Sequence, residues 1–425
     1  MVDRFRGSLD AQDHVAGLVR VLDSVRLGRV TTKPEAVRFT GMGRNVVSQR
    51  VTQLLDAGLL VTGQLQPSSG GRSPRELRFN AEAGRLLVAE LGVTSLGVAI
   101  SDLSGNLLVH HEEPAEVSDG PVSILDRVVE RWHQQLLAAP ADGAPIWGIG
   151  IGLPGPVEFA TGRPVAPPVM PGWDDFDVRS FLADHFHAPV WVDNEVNVMA
   201  LGELRAGLAH GHADLIYVKV GSGIGAGLVT RGSLHRGAQG CAGDIGHVTV
   251  DDSDTVLCRC GKYGCLEALA GGAAIARDAE RAAREGRSAF LAAALDRDGR
   301  IDAQTVSDAA KHGDPVAIDL LAQSARVVGV TLARLVNFFN PSLILVGGGV
   351  SRSGDAYLAE IRHTIISRSL PLATRSLQIS RSPLGDQAGL RGAAFMVVDA
   401  LLSPPLLPRW LPDGSPAGRT ELMAS

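Results

Sequence analysis

Three of the chain's four cysteines fall within eight residues, Cys258, Cys260 and Cys265 in "CRCGKYGC". Thiols this close can form a disulfide, hold a metal ion or carry redox chemistry. Their spacings are not those of a C-x-x-C redox motif. Upstream lies Gly246-His247, separated from Cys258 by ten residues. One imidazole and three thiolates suit a tetrahedral Zn²⁺ ion, and Gly261 and Gly264 let the chain turn tightly around it. Cys241 lies outside the pattern and reads as a free thiol.

The bulk of the sequence favours the metal over a disulfide framework. A chain of 425 residues buries several cores without covalent staples. Its first 20 residues lack the apolar run of a secretory signal, and no apolar run reaches the ~18 residues of a membrane span. The expectation is a cytoplasmic, reduced protein with no membrane partner.

Charge divides the chain. Residues 1–80 carry 12 Lys+Arg against 7 Asp+Glu, a net +5, whereas the remainder carries 28 against 39, a net −11. A basic head on an acidic body suggests that the head meets a polyanion. Residues 14–26 place Val15, Leu18, Val19, Leu22 and Val25 at helical spacing. Thr32 caps a second helix with Pro34 in its first turn, and Gly41 ends it. A third helix follows, with Val46, Val47, Val51 and Leu54 or Leu55 inside. Arg44, Asn45, Ser48, Gln49 and Arg50 are assigned to its outer face, as candidate contacts to base edges and phosphates. Two β-like runs flank "QPSSGGRSP", a basic tip carrying Arg72. Three helices and a hairpin make a winged helix-turn-helix, whose partner is double-stranded DNA. Arg44, Arg50 and Arg72 predict a steep salt dependence of that binding.

From residue 86 the pattern becomes strand, glycine turn, strand. "ELGVTS" has Glu90, Gly92 and Thr94 at its turn; "KVGSGIG" has Gly221, Ser222 and Gly223; "LILVGGGVS" has Gly347 and Gly348 after a buried strand. Such turns let backbone N–H groups approach anions. The order resembles the α/β sugar kinase and actin-like ATPase fold, two ribonuclease-H-like lobes around a cleft. In that fold the first two turns hold nucleotide phosphates and metal, and the late one lies at the adenosine.

The segment "GHVTVDDSDTVLCRCGKYGCLE" resembles the zinc signature of the ROK family (repressors, open reading frames, kinases). The resemblance extends to about residue 400. It implies that His247, Cys258, Cys260 and Cys265 hold Zn²⁺, and that the zinc loop walls a sugar pocket. Asp244, His247, Glu267, Gly155, Asn194 and Glu195 would then face the sugar. Family members with a winged head are sugar-responsive regulators, and those without one are kinases. Asn194-Glu195 stands where the kinases carry Asn-Asp, the aspartate being the catalytic base. Glu90 replaces an aspartate, Ser222 a threonine, and Asp244 a glutamate. A shift of about 1 Å in a catalytic group costs ~100-fold in rate. These exchanges suggest a pocket that binds sugar but has lost phosphoryl transfer.

The expected organisation is a DNA-binding head at 1–82, a two-lobed sensing and oligomerisation body at 83–400, and a Pro-rich tail at 401–425. The tail is expected to be non-helical, disordered at its end, with Trp410, Leu406, Leu407 and Leu411 docking on the body or on a partner. The function implied is a sugar-responsive repressor acting as a dimer or tetramer. The alternatives are an active kinase using ATP and Mg²⁺, and a DNA-binding protein with a vestigial pocket.

Overall fold

The computed structural model describes residues 2–66, 73–138 and 143–423. Three helices come first: α1 (Val2–Arg26), α2 (Lys33–Thr40) and α3 (Arg44–Asp56). Thr32 caps α2 by accepting from the Glu35 N–H, and Gly41 closes it in the left-handed region at φ 70°, where a Cβ would be strained. A hairpin of β1 (Leu60–Leu65) and β2 (Arg75–Phe79) completes a winged helix-turn-helix. Arg72 lies outside the described residues.

The third helix departs from expectation at two positions. Arg50 is buried, and its guanidinium faces Gln53 and His14 at 3.3 and 3.4 Å. Val46 is 40% exposed instead of buried. The periodicity explains both. The inner stripe is Val47, Arg50, Val51 and Leu54, and position 50 falls one turn after 47 and one before 54. Arg44, Asn45, Ser48 and Gln49 are exposed as expected.

After a single 3₁₀ turn at Ala81–Ala83 the body begins. The first lobe contains β3 (Arg85–Leu91), β4 (Ser95–Ser101), β5 (Leu107–Pro114), α4 (Pro121–Ala138), β6 (Ile146–Leu153), the small pair β7 (Val157–Glu158) and β8 (Arg163–Pro164), α5 (Val178–Phe186), β9 (Val190–Asn194) and α6 (Glu195–Ala206). Its sheet runs β5-β4-β3-β6-β9. The second lobe contains β10 (Leu215–Val220), β11 (Ile224–Thr230), β12 (Ser233–His235), α7 (Leu266–Ala270), α8 (Gly272–Arg284), α9 (Ala289–Asp298), α10 (Ala303–Lys311), α11 (Pro315–Phe339), β13 (Leu343–Gly347), α12 (Asp355–Arg368), α13 (Pro371–Thr374) and β14 (Gln378–Arg381). Its sheet runs β12-β11-β10-β13-β14.

The two sheets repeat one topology. In each, three strands form an antiparallel meander, the first of them also pairs parallel with a fourth strand, and the fourth pairs parallel with a fifth. This is the two-lobed, actin-like sugar kinase architecture. Helix α14 (Gln387–Leu401) crosses back and packs on α6. The two backbones nearly touch: a Cβ at Gly392 would sit 1.6 Å from the Val198 carbonyl oxygen, and one at Gly202 would sit 2.1 Å from that of Ala388. Helix α11 has the length and apolarity of a membrane span, against the expectation of no such run, but half of that window is buried in the second lobe. It is a core helix.

The tail carries helical turns through residue 423, contrary to the non-helical expectation, and docks on the body, one of the two expected alternatives; its last two residues lie outside the described ones. α15 (Leu407–Trp410) and two 3₁₀ turns wrap the first lobe. Trp410 is fully buried, donates to the Leu401 carbonyl at 2.8 Å and meets Trp147 edge-on. Leu406 and Leu407 are buried with it, and Arg179 donates to the Met423 carbonyl. Apolar burial on the body outweighs the helix-breaking prolines.

Candidate ligand cleft and metal cluster

His247 ends a 3₁₀ turn at Ile245–His247, and Cys265 stands at the cap of α7. Two isolated bridges, Thr249 with Cys265 and Leu257 with Tyr263, fold the intervening loop back on itself. Gly264 must be glycine: at φ +67° a Cβ would lie 1.7 Å from the Asp251 carbonyl oxygen. The result gathers His247, Cys258, Cys260 and Cys265 so that one ligand atom from each lies within 4.8 Å of the others. Cys258 Sγ is 3.6 Å from His247 Nδ1, and Cys260 Sγ is 3.7 Å from Cys265 Sγ. A tetrahedron with Zn–S bonds of ~2.3 Å has an edge of ~3.8 Å. The separations therefore match a metal tetrahedron and exceed a disulfide bond. Burial and the adjacent thiols push the Cys265 thiol up to about 12, because three thiolates cannot share this space without a cation. A divalent ion reverses that balance. The residues fit Zn²⁺ in number, type and spacing, and Cys241 is exposed and apart.

Three residues before His247 and two after Cys265, Asp244 and Glu267 turn towards a cleft between the lobes. It encloses about 1320 Å³. Its lining takes Gly92, Thr94 and Glu90 from the first turn and Gly221, Ser222 and Gly223 from the second. Gly348, Gly155, Asn194, Glu195 and His247 line it too. Gly347 does not. It sits beneath the surface, where a Cβ would lie 2.0 Å from the Tyr217 hydroxyl oxygen.

The polar groups are already partly engaged. Glu267 Oε2 accepts from the Ile224 N–H at 3.0 Å and so braces the second glycine turn. Asn194 caps α6 through its Oδ1, accepting from the Val196 N–H at 2.8 Å, and donates to the Gly155 carbonyl at 2.9 Å. Glu195, the first residue of α6, forms an ion pair with Lys219. Burial pushes the Glu90 carboxyl up to about 8, against the pull of Lys219. Burial alone would lower the Lys219 pKa, but Glu195 and Glu90 raise it overall.

Two cations were not anticipated. Lys219 has a readable signal: a single lysine inside the apolar run "LIYVKV", just before a glycine turn. Arg236 has none. It crosses between lobes, donating to Asp193 at 2.7 Å while lying 3.8 Å over the Phe159 ring.

The ROK family profile matches residues 87–400. The chain belongs to the ROK family. The xylose repressor of Caldicellulosiruptor bescii is 30% identical over 91% of this chain and 96% of its own. A solved ROK family transcriptional regulator, a homologue of the E. coli MLC protein, covers 94% of this chain and all of its own at 25% identity and a TM-score of 0.79. The ROK glucokinase of Streptomyces griseus, solved with glucose and AMPPNP, covers 74% of this chain and 99% of its own at 31% identity and a TM-score of 0.65. The match to the regulator takes in the winged head; the kinase match does not need it.

Proposed function

We propose that this ROK protein is a sugar-responsive DNA-binding repressor whose cleft senses its effector without phosphorylating it. The observation that carries the reading is one chain joining a winged head to a two-lobed cleft, with Arg44, Asn45, Ser48 and Gln49 exposed on α3. Those side chains suit hydrogen bonds to phosphates and base edges, and the exposed Val46 suits a thymine methyl. The xylose repressor and the regulator homologue support the same assignment.

The sugar lies on the wall that Zn²⁺ organises. Asp244, His247 and Glu267 read its hydroxyls, since carboxylates accept paired hydrogen bonds from vicinal diols. Gly155, Asn194 and Glu195 complete the pocket. Zn²⁺ fixes the direction of these groups and takes no part in a reaction. Binding alters lobe closure, with the Arg236–Asp193 contact spanning the lobes, and so the spacing of two heads in a cytoplasmic dimer on two half-sites.

A thermal-shift screen of xylose, glucose, aminosugars and their phosphates tests the pocket, with a coupled ATP assay beside it. Stabilisation by a sugar without turnover supports the sensor. Turnover of ~1 s⁻¹ or more assigns the protein to the kinases instead.

A further inference from the structure

Glu90 and Lys219 occupy equivalent positions in the two lobes. Each stands two residues before a glycine turn, at Gly92 and Gly221. Each is flanked in register by glycine on both sides: Glu90 by Gly97 and Gly152, Lys219 by Gly225 and Gly347. The repeat of the fold thus sets an acid and a base at matching points, facing one cleft floor.

Lys219 is the odd residue in its strand. Ile216, Val218 and Val220 fill the second lobe's core, while Leu215 and Tyr217 pack towards α6 and α14. Strand alternation places Lys219 on that second face. Its ammonium pairs with Glu195, the side chains being 17% and 10% exposed. Glu90 approaches from the other lobe, its Oε2 only 1.9 Å from where a Cβ on Gly389 would stand. Glu112 and Asp386 also act on Glu90; Asp386 pairs with Arg352, and His110, His111 and Arg352 face Glu112.

We infer that the Lys219 ammonium is a built-in substitute for a divalent cation between the two glycine turns, so that the cleft takes a carbohydrate without Mg²⁺. The inference rests on the reading of this cleft as a ligand site. A lysine and a hydrated Mg²⁺ compete for the same carboxylate oxygens. The lysine is tethered, so it holds its place at no cost in association entropy. A free divalent ion would have to displace it from Glu195 and ionise Glu90 while meeting its positive charge. The ligand class that remains is a neutral sugar or a sugar with a single charged substituent, not a metal–nucleoside triphosphate.

Free Mn²⁺ followed by electron paramagnetic resonance tests this on the full-length, zinc-loaded protein. The wild type should leave the Mn²⁺ signal as in buffer, as should Lys219→Arg. Lys219→Met should remove one equivalent of the signal, because Glu90 and Glu195 are left without their cation. Adding Glu195→Gln to that variant should abolish the gain. Stoichiometric Mn²⁺ binding by the wild type that Glu195→Gln removes overturns the inference, and so does a folded Lys219→Met that binds none. If Lys219→Met does not fold, the wild type and Lys219→Arg decide: silence in both supports the substitution, and binding by either refutes it. The titration needs no sugar. A protein deaf to every sugar yet showing this Mn²⁺ pattern would lose the sensor function and keep the substitution.

Discussion

Arg26 of the head and Asp399 of the body lie 2.8 Å apart, and the same carboxylate accepts from Arg205 at 2.8 Å. Asp399 sits near the end of α14 and Arg205 near the end of α6. Both helices begin at the cleft, α6 with Glu195 and α14 just after Asp386, which also lines it. The α6–α14 pair, locked backbone to backbone, therefore runs from the ligand cleft to the head.

Asp399→Asn should weaken the link without closing the cleft. The affinity ratio for DNA with and without bound sugar should fall at least fivefold, since couplings of this kind are ~1–3 kcal/mol. Sugar affinity in the absence of DNA should stay within about twofold. Calorimetry with sugar and fluorescence anisotropy with DNA measure the two quantities separately.

Removal of the metal should act on folding as well as on binding. Cys260→Ser, or a strong chelator, should lower the melting temperature by about 5 °C or more and abolish the sugar-induced shift. With the Cys265 thiol up at about 12 in the metal-free state, metal uptake must release protons. The apparent affinity should then rise about tenfold per pH unit for each proton released. Zinc titrations at two pH values check the slope.

The two arginines of α3 should behave oppositely. Arg44→Ala should weaken DNA binding and reduce its salt slope by about one, the loss of a single phosphate contact. Arg50→Ala should chiefly destabilise the head, because Arg50 is buried beside His14 and Gln53. Thermal unfolding and DNA titration distinguish them.

Glu90 predicts a pH dependence of stability. Its folded pKa of about 8 lies above the ~4.3 of an exposed glutamate. The folded state therefore binds more protons than the unfolded state between these values, and stability falls as pH rises through that window. Glu90→Gln, neutral throughout, should flatten this fall and be the more stable form at pH 8. Melting curves from pH 5 to pH 8 test it.

The tail should matter to the body. Trp410→Ala should cost ~3–5 kcal/mol, as for other fully buried tryptophans. Denaturant unfolding of the first lobe measures it.

The elements most legible in sequence were those with local causes. Thr32 with Pro34 marks a helix start, the cysteine cluster marks a loop that gathers four candidate metal ligands, and the glycine turns mark strand ends. The cleft lining followed from those turns. Arg50 was misplaced because residue type was weighed over its position one turn after Val47. The docking of Trp410 was expected but the helical turn that carries it was not, because the prolines are local signals whereas the Trp147 face that receives Trp410 comes from a strand over 200 residues earlier. Lys219 and Arg236 gain their meaning only from partners on the other lobe or at the start of α6, which the chain supplies at a distance.

Sugar control of DNA affinity tests the account most directly. A duplex selected by the full-length zinc-loaded protein from a random library would be titrated with and without the sugar that most raises its melting temperature. The account predicts salt-sensitive binding whose affinity changes at least ~10-fold when the sugar is present. Salt-sensitive binding that no sugar, aminosugar or sugar phosphate alters would contradict it.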